Sequence, residues 1–102
     1  MLNPTPPEQL IDSQGRPTFL WDCDLTMEEL QERLDSPDIE VRGYWMGTVM
    51  RQARPDDALT LIPAKRMRAE WSSLERYLGQ TRPFWSWYLS MTAAEGAGGP
   101  DV

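Results

Sequence analysis

Residues 64–78 read Ala-Lys-Arg-Met-Arg-Ala-Glu-Trp-Ser-Ser-Leu-Glu-Arg-Tyr-Leu, and this stretch decides the predicted fold. Pro63 precedes it and Gly79 follows it, which are the positions that proline and glycine favour at the start and the end of a helix. We therefore predict one regular helix over 64–78 with a left-handed glycine after it. The apolar residues that support this helix recur at steps of three or four along one face: Ala64, Met67, Trp71, Leu74 and Leu78.

A capping-box pattern marks the start of an earlier helix. Thr26 and Glu29 are spaced so that each side chain can accept a hydrogen bond from the other residue's free backbone N–H. Leu25 and Leu30 flank this cap and can form a hydrophobic staple. The pattern predicts a helix that begins after Thr26 and ends near Asp35.

A second start signal follows at Ser36-Pro37, with Ser36 as the N-cap and Pro37 as the first helical residue. This helix is predicted to run to about Ala53. Gly43 and Gly47 lie four residues apart and therefore on one face of it. Because glycine costs about 1 kcal/mol against alanine inside a helix, we expect the pair to permit close packing of another segment of the same domain.

The chain between and beyond these helices is less regular. Arg54-Pro55-Asp56-Asp57 ends the second helix, and residues 56–62 form either one helical turn or an extended link. A last helix is predicted to begin near Thr81, with Pro83 in its first turn. Its apolar spacing comes from Phe84, Trp87, Tyr88 and Met91, and is widened by Trp85 and Leu89.

These patterns predict an all-α fold, a small single-domain bundle of about four helices with flexible termini. The helical domain is expected to span residues 18–91, and its residues 18–24 form either a brief strand or, as we favour, an extended lead-in to the core. Residues 1–17 contain four prolines and no sustained periodicity, which predicts a mobile N-terminal arm. Residues 92–102, rich in alanine and glycine, predict a flexible C-terminal tail.

The net charge of −6 is unevenly distributed. Residues 1–40 carry ten acids against two arginines, giving −8, whereas residues 65–82 carry five bases against two acids, giving +3. The overall sign opposes general binding to nucleic acid or anionic membranes, because phosphate groups attract clustered positive charge. The basic stretch leaves two interpretations open, a nucleic-acid contact and a solvated face that complements the acidic residues. Its candidate nucleic-acid-binding residues are Lys65, Arg66, Arg68 and Arg76.

The cysteine and histidine content excludes several kinds of site. With one cysteine and no histidine, the chain cannot form an intramolecular disulfide, a Cys-His or Ser-His catalytic pair, or a structural zinc site. A single cysteine fits a reducing cytosol, and the sequence shows neither a signal peptide nor an apolar run of about 20 residues. We therefore expect a cytoplasmic protein that uses no cofactor or metal.

The string most like an active site is Asp22-Cys23-Asp24-Leu25-Thr26. An Asp-x-Asp-x-Thr sequence after an apolar run resembles the nucleophile loop of haloacid-dehalogenase-type phosphatases, which act near Mg²⁺. Such enzymes need a parallel sheet and a downstream lysine, whereas Lys65 lies in a helical pattern. We interpret Asp22 and Asp24 as residues that lead into and cap the first helix, and Asp56-Asp57 as a turn or helix start rather than a metal pair. Catalysis is not expected.

The sequence Phe84-Trp85-Ser86-Trp87-Tyr88 concentrates four aromatic residues in five positions. Side chains in such a run point around much of a helix, so they cannot all face one core. Large aromatic residues are frequent anchors of protein interfaces. The cluster is the strongest sign of partner binding that the residues alone offer.

Three features together resemble a known family: Phe19-Leu20-Trp21-Asp22-Cys23-Asp24-Leu25, Ala53-Arg54-Pro55-Asp56-Asp57, and the order of a short acidic helix, an arginine-bearing helix and a closing Trp-rich helix. They resemble small bacterial proteins encoded beside nucleotidyltransferase-type toxin genes, the antitoxin-like members of such pairs. The resemblance covers about residues 18–90 and supplies no catalytic residues. It implies a binding role, in which a partner protein is neutralised or positioned.

We therefore expect a non-enzymatic, antitoxin-like protein-interaction module whose partner is a protein, such as a nucleotidyltransferase-type toxin. An acidic surface would suit a cleft that is built to hold nucleic acid. The alternative is a small helical DNA-binding regulator that uses the basic face of helix 64–78, and homodimerisation through exposed aromatic residues is compatible with either. The expected partner-binding residues are Trp85, Trp87 and Tyr88 of the last helix, with Glu28 and Glu32 of the first.

Overall fold

The computed structural model describes residues 4–20 and 24–97, and over these ranges the chain forms seven α-helices. Short 3₁₀ turns cover Thr18–Leu20, Glu75–Tyr77 and Gly79–Thr81. None of the described helices combines the length and the apolar character needed to cross a lipid bilayer. The helices are α1 (Pro7–Leu10), α2 (Met27–Leu34), α3 (Ile39–Gln52), α4 (Pro55–Leu61), α5 (Ala64–Ala69), α6 (Trp71–Leu74) and α7 (Arg82–Ala97).

The all-α prediction is confirmed, although the helices are shorter and more numerous than expected. No β-strand occurs within residues 4–20 and 24–97. The β-structure in these ranges is limited to one isolated antiparallel bridge between Ile11 and Pro17. The predicted lead-in begins as the 3₁₀ turn Thr18–Leu20, whose Leu20 is buried in the core. Residues 21–23, with Asp22 and Cys23, lie outside the described residues.

Helix α3, rather than the stretch 64–78, is the element against which most of the others pack. It contacts α2, α4, α6 and the 3₁₀ turns around them. Because removing apolar surface from water is the main favourable term in folding, this arrangement places the core along α3. The core residues are Leu20, Leu25, Leu30, Leu34, Met46, Val49, Met50, Ala53, Ala58, Ile62, Met67, Leu74, Leu78, Trp85 and Leu89.

Helix α2 has the cap that its sequence predicts. The Thr26 hydroxyl accepts a hydrogen bond from the Glu29 N–H at 3.1 Å, and the Glu29 carboxylate accepts one from the Thr26 N–H at 2.9 Å. Leu25 and Leu30 are both buried, as a hydrophobic staple requires. The helix reaches its C-cap at Asp35, where the sequence predicts its end.

The predicted start of α3 at Ser36-Pro37 is wrong by two residues. Asp38 is the N-cap, and its Oδ1 accepts a hydrogen bond from the Glu40 N–H at 2.9 Å. Ser36 lies two residues before this N-cap, and its hydroxyl accepts a hydrogen bond from the Asp38 N–H at 3.1 Å. A carboxylate interacts more favourably than a neutral hydroxyl with the positive end of a helix, which explains why Asp38 takes the capping position. The C-cap at Ala53 agrees with the prediction.

The stretch 64–78 is not the single regular helix that its apolar spacing predicts. The backbone leaves helical geometry at Glu70, with φ −110° and ψ 19°, between α5 and α6. The Glu70 carboxylate lies 2.8 Å from Arg42 Nε and 3.3 Å from Arg66 Nε, so two ion pairs hold the bend. Gly79 does have the predicted left-handed conformation, with φ +56°.

Gly43 and Gly47 allow α6 and the following turn to lie directly on α3, and we call this contact the glycine seam. A Cβ atom on Gly43 would stand 2.4 Å from the Ser73 carbonyl oxygen, and one on Gly47 would stand 2.6 Å from the Tyr77 Cβ. Neither distance leaves room for a side chain. The predicted close packing within the domain is therefore confirmed, and it accounts for the two glycines in the middle of a helix.

Of the two alternatives left open for residues 56–62, the helical one is observed, as α4, and this helix also contacts Thr5. Asp57 in its first turn is only 4% exposed. Its two carboxylate oxygens accept hydrogen bonds from the N–H and the hydroxyl of Thr5, each at 2.6 Å. A buried carboxylate needs such partners. Thr5 is thus joined to the helical domain, and residues 7–10 form α1, while the mobility expected for residues 1–17 stays a prediction.

Helix α7 continues past the predicted start of the C-terminal tail at residue 92 and ends at Ala97. The Thr92 hydroxyl accepts a hydrogen bond from Arg68 at 3.0 Å and donates to the Tyr88 carbonyl at 2.9 Å, which ties this turn to α5. Alanine-rich sequence beyond that anchor favours helix. Residues 98–102 lie outside the described residues.

Candidate protein-interaction surface

One face of α7 presents large apolar side chains to solvent. Trp87 is 57% exposed, Met91 41% and Phe84 39%, and Tyr88 beside them is half-buried. These four residues are spaced i, i+3, i+4 and i+7, so they form a continuous stripe along the helix. We call them the outer stripe. Contiguous exposed apolar surface of this kind marks interaction sites in folded proteins.

The rings of the outer stripe are organised around Phe84. Its ring centroid lies 6.0 Å from that of Tyr88 in a stacked arrangement and 6.1 Å from that of Trp87. On the inner side, the Phe84 ring meets the buried Trp85 ring edge-on at 5.1 Å. Aromatic contacts of this geometry are favourable beyond the area they bury. The exposed rings are thus fixed against the core rather than left as independent side chains.

The opposite side of α7 fixes the direction in which the outer stripe faces. Trp85 is 1% exposed, and its indole Nε1–H donates a hydrogen bond to the Met50 carbonyl at 2.9 Å. Leu89, one turn further on, is also buried. Met50 lies in the last turn of α3, where carbonyls have no partner within the helix, so Trp85 supplies one.

The structure therefore separates the aromatic residues that the sequence groups together. The sequence predicts that Trp85 binds a partner, but this side chain lies in the core and is not accessible to one. Trp87 and Tyr88 lie on the outer face, where Trp87 is exposed and Tyr88 half-buried, and their role in partner binding stays a prediction. Phe84 and Met91 belong to the same exposed surface, although they are not among the expected partner-binding residues. The sequence does carry a signal for them, because their spacing places Phe84 and Met91 on one helical face with Trp87 and Tyr88.

Glu28 and Glu32 are exposed and one turn apart on α2. Helix α2 packs mainly on α3, whereas α7 packs mainly on α5 and on the turn Gly79–Thr81. The acidic pair and the outer stripe therefore belong to elements that are not principal packing partners. A partner that used both would have to span part of the domain surface.

The four candidate nucleic-acid-binding residues have different environments. Arg66 pairs with Asp35 and Glu70 and donates to the Leu34 carbonyl, and Arg68 donates to Thr92. Both guanidinium groups are thus engaged within the domain. Lys65 and Arg76 are exposed. The basic face of 64–78 is accordingly divided between internal contacts and solvent, which leaves only part of it for an external phosphate.

The acidic residues of the described ranges do not form a group that could bind a metal ion. Among residues 4–20 and 24–97, no three Asp, Glu or Cys side chains come together in a group that could hold a metal ion. Asp24 is exposed and pairs with Arg16 at 3.2 Å. Asp57 is used to bind Thr5. Asp56-Asp57 therefore forms a helix start, as the sequence predicts.

A groove of about 300 Å³ flanks the other side of α7. Trp71 forms part of its wall, with the Arg82 guanidinium 5.8 Å from the centroid of the indole ring. The charged residue of the groove, Arg68, already donates to Thr92. Polar groups do not converge here as they do in most small-ligand sites, so the outer stripe is the better candidate surface.

Comparison of the chain with protein-family models, curated proteins and solved structures gives no match.

Proposed function

We propose that this chain is a non-enzymatic, antitoxin-like protein-interaction module that binds a partner protein in the cytoplasm through the outer stripe of α7. Binding would neutralise or position the partner. The observation that carries the proposal is the exposure of Phe84, Trp87 and Met91 along one face of α7, where each large apolar side chain remains in part accessible to solvent. Aromatic residues and methionine are enriched in the cores of protein interfaces.

The spacing of the outer stripe favours one mode of recognition. Side chains at i, i+3, i+4 and i+7 are those with which an amphipathic helix enters an apolar groove. Trp87, the most exposed of the four, is suited to a central pocket, and Phe84 and Met91 lie one turn to either side of it. The partner is expected to offer an elongated apolar groove that accepts α7 as a preformed helix.

Charge suggests what surrounds that groove. The chain has a net charge of −6, and Glu28 and Glu32 are exposed on α2. Such a surface attracts a partner with a positive field and speeds its association. A nucleotidyltransferase-type toxin, whose cleft must hold nucleic acid, has this character. The resemblance noted above points to the same class of partner.

The test is the binding of a purified partner, identified by affinity capture from the native cells and then measured against defined variants. Trp87→Ala is expected to lower the affinity by about 2 kcal/mol, which is roughly 30-fold in Kd, as for a central aromatic anchor. Ile39→Ala is the matched control, since Ile39 is 48% exposed on α3, outside the outer stripe. It should leave Kd unchanged.

Two results would contradict the proposal. One is a captured protein whose Kd responds equally to Trp87→Ala and Ile39→Ala, since binding would then not use the outer stripe. The other is an affinity that the doubly substituted Glu28→Gln/Glu32→Gln protein raises rather than lowers. The charge argument predicts slower association of that variant and a weaker dependence of the association rate on salt.

A further inference from the structure

A second concave site lies between α3 and the turns that follow α6. It has a volume of about 240 Å³, smaller than most pockets for drug-sized ligands, and so fits a small ligand or a single chemical group. It shares no residue with the outer stripe. Its lining residues are Tyr44, Thr48, Arg51, Arg76, Tyr77 and Gly79.

The glycine seam builds this site. Because Gly47 has no side chain, Tyr77 can approach α3 closely, and its ring meets that of Tyr44 edge-on with centroids 5.2 Å apart. On the other wall, a Cβ on Gly79 would stand 3.6 Å from Arg51 Cδ, so the Arg51 side chain runs beside this left-handed glycine. The Arg76 guanidinium lies 5.8 Å from the centroid of the Tyr77 ring.

The charge of this site is opposite to that of the chain. Among the residues that the structure describes, two arginines line it and no carboxylate does, although the net charge of the chain is −6. Within the described ranges, neither Arg51 nor Arg76 forms an ion pair. By contrast, Arg42, Arg66 and Arg82 are all paired with carboxylates. Arg51 and Arg76 are both exposed, so their guanidinium groups are open to solvent and available to an anion from outside.

We propose that this site binds the phosphoryl group of a small ligand. Guanidinium groups bind phosphoryl oxygens through paired N–H donors, and two of them match a charge close to −2 better than the single charge of a carboxylate. Tyr44 and Tyr77 add phenolic hydroxyl donors. Thr48 helps to shape the floor, where it is buried and its hydroxyl donates to the Tyr44 carbonyl at 2.8 Å.

The experiment is an NMR titration of the whole ¹⁵N-labelled chain with three probes: inorganic phosphate, adenosine monophosphate and adenosine. Phosphate and the monophosphate should shift the same resonances, those of residues that line the site, including the Arg51 and Arg76 side-chain N–H groups. Adenosine should not. The tighter of the two anions identifies the source of the phosphoryl group, either the free ion or an ester.

Arg51→Gln and Arg76→Gln should each weaken binding of the better anion by about tenfold, the loss expected for one charge-assisted contact. Arg33→Gln is the matched control, because its guanidinium also lies over a ring, 5.5 Å from the Trp45 centroid, but outside this site. The proposal is overturned if the anions shift no residue of the site, if adenosine alone reproduces the shifts, or if all three variants weaken binding equally.

Discussion

The glycine seam and the outer stripe differ in the size of the side chains that they present. At the seam, α3 has two glycines where α6 and the following turn approach, so backbone meets backbone with no space for a Cβ. On the outer face of α7, the chain places two aromatic rings and a methionine where 39% to 57% of each side chain meets solvent. At the seam the absence of side chains lets the elements pack closely, whereas on the outer face of α7 large side chains stay partly exposed to solvent.

This difference separates residues that stabilise the fold from residues available for binding. The seam and the core side of α7 determine which elements touch, so changes there should appear as lost stability. Phe84, Trp87 and Met91 are far more exposed than the core residues, so changes there should affect binding more than stability. Stability measurements on matched substitutions can therefore test whether the division is real.

The largest effect is expected from Trp85→Ala on the core side of α7. Removing a fully buried indole should cost about 3–5 kcal/mol in the free energy of unfolding, through lost burial and the cavity that remains. The Met50 carbonyl also loses its hydrogen-bond donor. Chemical denaturation monitored by circular dichroism would measure the change. Trp85→Phe keeps much of the ring and should cost less, so equal losses in the two variants would contradict this account.

Gly43→Ala tests the seam and should be the next largest effect. Its methyl group would stand 2.4 Å from the Ser73 carbonyl oxygen, which belongs to the backbone and cannot rotate away. We expect a net loss of about 1–3 kcal/mol from overpacking, despite the higher helix propensity of alanine. Gly47→Ala should change stability in the same direction. An unchanged or raised denaturation midpoint in either variant would contradict close packing at the seam.

The sequence predicts the helical content well because capping and periodicity are local signals. Thr26 and Glu29 form their cap regardless of what packs on α2, and the prediction there is confirmed. The bend at Glu70 is not local. Apolar spacing over 64–78 fits an unbroken helix equally well, and the choice depends on Arg42, 28 residues away, and on how closely α6 can approach Gly43.

The candidate surface could be predicted only in part for a related reason. In α7, aromatic residues occur on two adjoining faces, so periodicity indicates a helix without showing which face is inside. The decision comes from the last turn of α3, where the Met50 carbonyl accepts a hydrogen bond from Trp85. The site between Arg51 and Arg76 could not be predicted at all, because these residues become neighbours only when the seam closes.

Glu70→Ala tests whether the ion pairs hold the bend at the end of the seam. Glu70, Arg42 and Arg66 are partly buried, with side chains 16%, 22% and 29% exposed. Their pairs should therefore be worth more than surface pairs, and we expect a loss of roughly 1–2 kcal/mol. Glu75→Ala is the control, since Glu75 pairs with Arg82, which is 51% exposed. If the two variants lose equal stability, the bend is held by packing alone.

Trp87→Ala should have the smallest effect on stability and the largest on function. Trp87 is as large as Trp85 and lies two residues away, but it is 57% exposed, and its ring centroid lies 6.1 Å from that of Phe84. Its removal should change the free energy of unfolding by no more than about 0.5 kcal/mol. Both variants remove the same type of side chain, so a difference in their free energies of unfolding under the same conditions reports how deeply each tryptophan is buried. A loss as large as that of Trp85→Ala would mean that the outer stripe is part of the core and is not free to bind a partner.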